Sequence, residues 1–239
     1  MQQVANEYIE QTIEWEESIL KVNQRKINGN EKEITYTHIE NGSPAVCFMF
    51  SGAGYTYEKP LFYYSTMMML QNQYDVVHIH YAYDQDIFKH PLVDITKVIV
   101  NDISPVITEV LQNQEYQGTV FLGKSLGTIP IINGMMKNER FMNAKMILLT
   151  PLLKFVSIFE GLLSSSHSAH IVIGEKDHHY IPGKIERIEN KTNISMDKIP
   201  HANHSLDIEP LNTSRSITML EGVMNRIEGF LKNDSLNIG

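Results

Sequence analysis

The sequence predicts an α/β protein: a mainly parallel, eight-stranded sheet with an antiparallel N-terminal hairpin and helices on both faces. Three observations carry that expectation. From residue 45 onward, apolar strand-like runs alternate with segments whose apolar residues recur at helical spacing. Ahead of them, the turn-forming cluster Asn28-Gly29-Asn30 separates two strand-like segments. Within the alternating region, a strand runs into Gly123-Lys124-Ser125-Leu126-Gly127 and then directly into a helical segment.

Residues 19–27 and 34–39 read as the two arms of the hairpin. Next comes a continuous apolar run, Ala45 to Phe50, that enters the tight loop Ser51-Gly52-Ala53-Gly54, as expected of a strand buried on both faces. Helical spacing over Pro60 to Gln71 precedes a strand over Asp75 to His80. A second helix covers Ile95 to Leu111, where Pro105 is expected to kink or break it. Further strands are read at Thr119 to Leu122, Lys145 to Leu149, Ala169 to Ile173 and Asn193 to Lys198. Leu152, Phe155, Phe159 and Leu162 recur at helical spacing, and Ile217 to Leu231 form a closing helix. The first 17 residues are helix-prone and acidic, which predicts a helical extension. No repeat or Gly/Ser-rich linker divides the chain, so residues 1–239 are read as one domain.

With 42% hydrophobic and 20% charged residues, the chain can bury a substantial core. A formal net charge of -8 and scattered Lys and Arg residues argue against nucleic acid as a partner, and a small-molecule substrate fits better. No basic segment followed by an apolar run opens the sequence, and no stretch has the length of a membrane span. The expectation is a cytoplasmic protein without a membrane partner. Cys47 is the single cysteine, so no internal disulfide can form, and its apolar neighbours predict a buried strand residue.

Two motifs overlap on the same residues. Gly118-Thr-Val-Phe-Leu-Gly123-Lys124-Ser125 satisfies the phosphate-loop pattern G-x-x-x-x-G-K-[ST]. Its context is wrong, because the apolar strand-like residues fall inside the supposed loop and polar residues precede it. Gly123-Lys-Ser125-Leu-Gly127 satisfies G-x-S-x-G with a strand before and a helix after, the setting in which a serine is presented on a sharp turn. Pro130 is tolerated there because it falls in the first turn of the helix. Lys124 occupies the elbow's variable position, where no charge is required, so replacing it is expected to alter activity modestly.

On these residues the chain resembles the α/β-hydrolase family from about residue 19 onward, with the hairpin, the glycine loop after the third strand and the serine elbow after the fifth in the family's order. The resemblance implies an acid after a later strand and a histidine after the last one. Ala169 to Asp177, a strand followed by Gly-x-x-Asp, supplies the first, and Ile199-Pro-His-Ala-Asn-His204-Ser-Leu supplies the second. Asp84 and Asp86 follow another strand end but lack the Gly-x-x-Asp setting. His201 sits at the strand exit, so His204 is the expected base.

The implied chemistry is acyl transfer to water. His204 would take the proton of Ser125 as the serine attacks a carbonyl carbon, and Asp177 would hold the imidazole in the useful tautomer. The Leu126 N–H, directly after the nucleophile, is placed to receive the developing negative charge. By resemblance the second donor comes from the Gly52-Ala53-Gly54 region, with the Ala53 N–H the first choice and Gly54 the alternate, although Ser51 departs from the family's His-Gly start. No cofactor is needed, and the pairs His78/His80 and His178/His179 lack the helical His-Glu-x-x-His spacing of a metal site. Between the sixth and seventh strands, residues 151–168 leave room for one helix and no cap domain. The candidate substrate contacts are Gly54, Tyr55 and Leu152, with Tyr57, Tyr81 and Leu153 beside them. A carboxylic ester or thioester is the expected substrate. An amidase or peptidase with the same triad, a non-catalytic binding protein of the same fold and a nucleotide-binding protein are the alternatives.

Overall fold

The structure, a computed structural model, describes residues 9–15, 18–29, 32–83 and 85–232. Nine strands form one sheet: β1 (Ile9–Trp15), β2 (Ser18–Asn28), β3 (Glu33–Glu40), β4 (Ala45–Phe50), β5 (Tyr74–His80), β6 (Gly118–Lys124), β7 (Lys145–Leu149), β8 (Ala169–Gly174) and β9 (Ile194–Ile199). Their order is β1-β2-β3-β5-β4-β6-β7-β8-β9, antiparallel from β1 through the β3–β5 pair and parallel from β5 onward.

The eight expected strands are all present as β2 to β9. The expected helical extension is corrected: residues 9–15 are a strand that pairs antiparallel with β2, from Ile9↔Gln24 to Trp15↔Ser18. An edge strand of this kind satisfies backbone groups by pairing with the next strand, which outweighs local helix propensity. The rest of that segment, and Asn30 of the hairpin turn, lie outside the described residues.

Parallel strands covered on both faces need apolar side chains at successive positions. In β4, Val46, Phe48 and Phe50 enter the core on one face while Cys47 and Met49 enter the core on the other. The first face is covered by α2 (Leu92–Asn113), α3 (Thr128–Asn133), α4 (Val156–Ser164) and α5 (Pro182–Glu189), through residues such as Ile99, Ile132, Phe159 and Ile188. The second is covered by α1 (Pro60–Gln71) and α6 (Thr213–Lys232), through Phe62, Met69, Val223 and Ile227. Cys47 is fully buried, and burial pushes its thiol pKa far up, so it packs as an apolar residue. No helix among the described residues is long and apolar enough to cross a membrane.

Pro105 lies inside α2 without dividing it: the helix runs on for 22 residues. Proline removes one backbone bond, and Ile103, Val106 and Ile107 bury enough apolar surface around it to keep the helix on the sheet. Leu152 and Phe155, read as helical, precede α4 and belong to the turn leading into it. That shift carries both residues to the carboxyl edge of the sheet.

At the opposite edge a buried carboxylate ties the strands together. Asp75 accepts backbone N–H bonds from Asn41 at 2.9 Å and Ser43 at 3.1 Å, and the Tyr116 hydroxyl donates to it at 2.8 Å. Removing it leaves these donors buried or half-buried without an acceptor. Asp75→Ala should therefore lose about 3 kcal/mol of stability in urea unfolding. A loss below about 1 kcal/mol would mean the network adds little beyond solvation.

Candidate active site

At the end of β6 the chain turns at once into a short 3-10 turn, Ser125–Gly127, that leads into α3. Ser125 has φ of 51°, in the left-handed region that L-residues seldom occupy. The Thr128 hydroxyl steadies it by donating to the Ser125 carbonyl at 2.6 Å. Close backbone approach explains the flanking glycines. A Cβ at Gly127 would lie 2.1 Å from the Phe50 carbonyl oxygen, and one at Gly123 would lie 2.5 Å from that of Gly127. The elbow thus seats directly on β4.

Asp177 follows β8 in a turn closed by its own N–H to the Gly174 carbonyl at 3.0 Å. Its side chain is fully buried, with Oδ2 2.8 Å from His204 Nδ1 and Oδ1 accepting the His179 N–H at 2.8 Å. Burial alone would raise this carboxyl's pKa, but the hydrogen bonds from His204 and His179 outweigh burial and hold it below the ordinary carboxylate range. It is therefore an anion and can only accept from the imidazole nitrogen beside it. The ring's other nitrogen points at the serine, with His204 Nε2 2.9 Å from Ser125 Oγ.

His204 stands in the loop after β9, and the loop holds its shape through Asn203. The Asn203 side-chain oxygen accepts from the N–H groups of Ser205 at 2.9 Å and Asp207 at 3.1 Å. His201 is exposed, with φ of 62°, and does not join this chain of bonds. The structure therefore brings Ser125, Asp177 and His204 together and leaves His201 outside. Asp86 is paired with Lys89 at 2.9 Å on the surface, and Asp84 lies outside the described residues.

The phosphate-loop reading does not survive. Gly118 to Lys124 is strand β6, so the positions that would form an open loop are paired with β4 and β7. Lys124 is buried, with Nζ donating to the His204 carbonyl at 2.8 Å and to Thr150 Oγ1 at 3.1 Å.

Ser125 and His204 open into a cleft of about 620 Å³, shared with Ala53, Phe88, Leu152, Lys154, Phe155, His178 and His179. Leu152 is where the sequence puts it. Gly54 and Tyr55 line a neighbouring cavity between the starts of α1 and α6. Tyr57 and Tyr81 are tied to strand-end carbonyls: Tyr57 lies 2.8 Å from those of Met49 and Ile79, and Tyr81 donates to Ser51 at 2.8 Å. Leu153 is in the core. Sequence reasoning missed Phe88 and Phe155 as cleft walls. An exposed aromatic at Phe88, just after a strand's carboxyl end, was the available signal, while Phe155 looked like one more helical core position.

His179 is neutral, because burial and the neighbouring His178 push its pKa down to about 4. Its Nδ1 accepts the Lys154 N–H at 3.3 Å and its ring packs on Phe155. Among the described residues, two sets of donor atoms come close enough to share a cation, Asp177 with His178 and His204, and His38 with Glu40 and Asp75. In both, donors are already engaged within the protein, through the Asp177–His204 bond and through Tyr116, which bonds His38 at 3.1 Å as well as Asp75. His78 and His80 hydrogen-bond Thr66 and Thr37, each at 2.8 Å, and serve packing.

No protein-family model and no curated protein matches the sequence. Solved structures do match the fold. An esterase of Pyrococcus furiosus aligns with a TM-score of 0.70 at 12% identity, over 90% of this chain and 93% of its own. Est1E of Butyrivibrio proteoclasticus, solved with ferulic acid bound, aligns with a TM-score of 0.66 at 13% identity, over 87% of this chain and 98% of its own. A protein of Xanthomonas campestris described as an α/β serine hydrolase without lid aligns with a TM-score of 0.63 at 11% identity, over 86% of this chain and 92% of its own. This chain shares their fold.

The elbow's seat on β4 is open to direct test. Gly127→Ala forces a methyl into the Phe50 backbone and should lose about 3 kcal/mol in urea unfolding. Gly183→Ala, where an added Cβ meets nothing within 4 Å, is the matched control and should be neutral or slightly stabilising. Equal stabilities for the two variants would refute the close seat.

Proposed function

We propose that this chain, which has the α/β-hydrolase fold, is a serine hydrolase that cleaves a carboxylic ester or thioester through an acyl-enzyme. The observation that carries the reading is the unbroken line of hydrogen bonds from Asp177 through His204 to Ser125, 2.8 Å and 2.9 Å long. Ser125 Oγ attacks the carbonyl carbon as His204 Nε2 takes its proton. Asp177 holds the tautomer with hydrogen on Nδ1 and stabilises the imidazolium that forms. His204 then gives the proton to the leaving alcohol or thiol. Water enters, the same imidazole takes its proton, and the acyl group leaves Ser125.

The developing oxyanion is received by the N–H groups of Leu126 and Ala53. Two placements support this pair. Leu126 directly follows the nucleophile on the turn, and Ala53 shares the cleft with Ser125 and His204. The glycine loop also packs on the elbow, since a Cβ at Gly52 would lie 3.5 Å from that of Ser125. One such donor is worth about 3 to 4 kcal/mol in the transition state.

Phe88, Leu152 and Phe155 give the cleft apolar walls, which suits a hydrocarbon or aromatic portion of the substrate. Between β7 and β8 the chain supplies only α4 and short turns, so the described residues place no separate cap over this opening. A small or accessible ester follows, in keeping with the esterases and the lidless hydrolase whose fold it shares.

Fluorophosphonate labelling with mapping of the modified residue should place the adduct on Ser125. Ser125→Ala should stay folded and lose nearly all hydrolysis of short p-nitrophenyl esters, keeping a residual rate of about a thousandfold over water. Adduct formation elsewhere, with turnover intact in Ser125→Ala, would refute the nucleophile.

The two histidines separate in the same assay. His204→Ala should lower turnover by about four orders of magnitude and slow the labelling of Ser125, whereas His201→Ala should keep most activity. A severe loss confined to His201→Ala, with both variants folded by circular dichroism, would reverse the assignment.

A further inference from the structure

We infer that Lys124 is a positioning residue for the base: its buried ammonium group grips the main chain of the histidine loop at His204 and so sets the imidazole above Ser125. The inference rests on the reading of Ser125 as nucleophile and His204 as base. The G-x-S-x-G pattern demands no charge at this position, which is why the sequence alone predicts a modest effect of replacing Lys124, and packing alone would be met by an apolar side chain of similar length. The contacts of its ammonium group replace that expectation with a larger one.

Three features set Lys124 apart from a lysine that merely fills space. It is 2% exposed, although lysine is the residue least often buried. Among the described residues it forms no salt bridge, so its charge is met by a carbonyl, a hydroxyl and an aromatic face. These are the His204 carbonyl at 2.8 Å, Thr150 Oγ1 at 3.1 Å and the Tyr55 ring, whose centre lies 4.7 Å from Nζ. Each partner comes from a different segment: the glycine loop after β4, the end of β7 and the loop after β9.

Thr150 gives independent support. It is fully buried with φ of 47°, a conformation costly for a β-branched residue, and its hydroxyl is one of the ammonium's acceptors. Strain held at that point keeps an acceptor beneath the histidine loop. The His204 side chain is 28% exposed and packs on the rings of His178 and His179, contacts that do not fix its height above Ser125 as a directional bond does. A directional bond from the residue next to Ser125 to the backbone of His204 keys base and nucleophile to the same piece of chain.

Burial pushes the Lys124 pKa down to about 8, against the pull of Asp177 and Asp207 in the other direction. The groups facing it are those two carboxylates, His204 and Tyr55, whose own pKa is raised by burial. Lys124 thus loses charge in mildly alkaline solution. A neutral amine is a weaker donor than an ammonium, so the grip on His204 slackens there.

The test uses the full chain, with hydrolysis of p-nitrophenyl acetate and the rate of fluorophosphonate labelling as readouts. Lys124→Met keeps the length and removes the donor. It should lower kcat by about tenfold or more with KM within about twofold, and slow labelling in parallel. The proton resonance of the His204 Nδ1–H bonded to Asp177 should shift or broaden in the same variant. A folded Lys124→Met with native kcat, labelling rate and resonance overturns the inference and leaves the triad standing. Absence of labelling at Ser125 in the native chain would instead sink the nucleophile on which it rests. If Lys124→Met does not fold, the native chain decides by nuclear magnetic resonance: a Lys124 ammonium signal protected from exchange with water and coupled to the His204 backbone supports the grip. A Lys124 ammonium that exchanges freely with water and shows no such coupling overturns it.

Discussion

Parallel hydrogen bonding from β5 to β9 is the constraint on which the site depends. It sends the carboxyl ends of these strands to one edge, so the loops that follow them must meet there. Register sets the meeting closely: Phe50 pairs with Gly123, Lys124 with Leu149 and Gly174 with Ile199. The glycine loop, the serine, the threonine, the aspartate turn and the histidine loop all leave the sheet within a few residues of those pairs. Backbone strain collects at the same edge. Ser125, Thr150, His201 and Leu206 all have positive φ there, whereas Gln73 is the one such non-glycine residue described elsewhere. The apolar cores on both faces of the sheet supply the stability that lets these conformations persist.

Two buried carboxylates at opposite edges of the parallel strands spend their oxygens differently. Asp75, at the amino edge of the parallel strands, spends its oxygens on backbone N–H groups and a tyrosine hydroxyl. Asp177, at the carboxyl edge, spends one oxygen on a backbone N–H and turns the other to a half-exposed imidazole. The first closes a network. The second holds a ring whose other nitrogen lies 2.9 Å from Ser125 Oγ.

Around this pair the structure keeps the other titratable groups neutral or engaged. His179 is held uncharged by burial and by His178, and its ring and its backbone N–H both serve the wall of the cleft and the aspartate. Lys124 carries a positive charge into the interior without an ion pair among the described residues, which is tolerable because a carbonyl, a hydroxyl and a ring share it. The cleft above is walled by Phe88 and Phe155, from two separate loops.

What the sequence by itself determined was local. Apolar runs of strand length, Pro60 at the start of α1, and glycines on either side of Ser125 depend on neighbours a few residues away, and the eight strands from Ser18 onward could be read from them. The proposed Ser125, Asp177 and His204 are candidates from the sequence because each sits in a short pattern at a strand end. Where a local preference competes with pairing or packing, the sequence misled: residues 9–15 form a strand, Pro105 leaves α2 whole, and Leu152 and Phe155 stand before α4. Only the tertiary structure decided which side chains meet. The bond from His204 to Ser125 spans 79 positions and that from Lys124 to the His204 carbonyl spans 80. No local pattern encodes such contacts, because they exist only once the parallel register has brought the strand ends side by side and the two cores have closed over them.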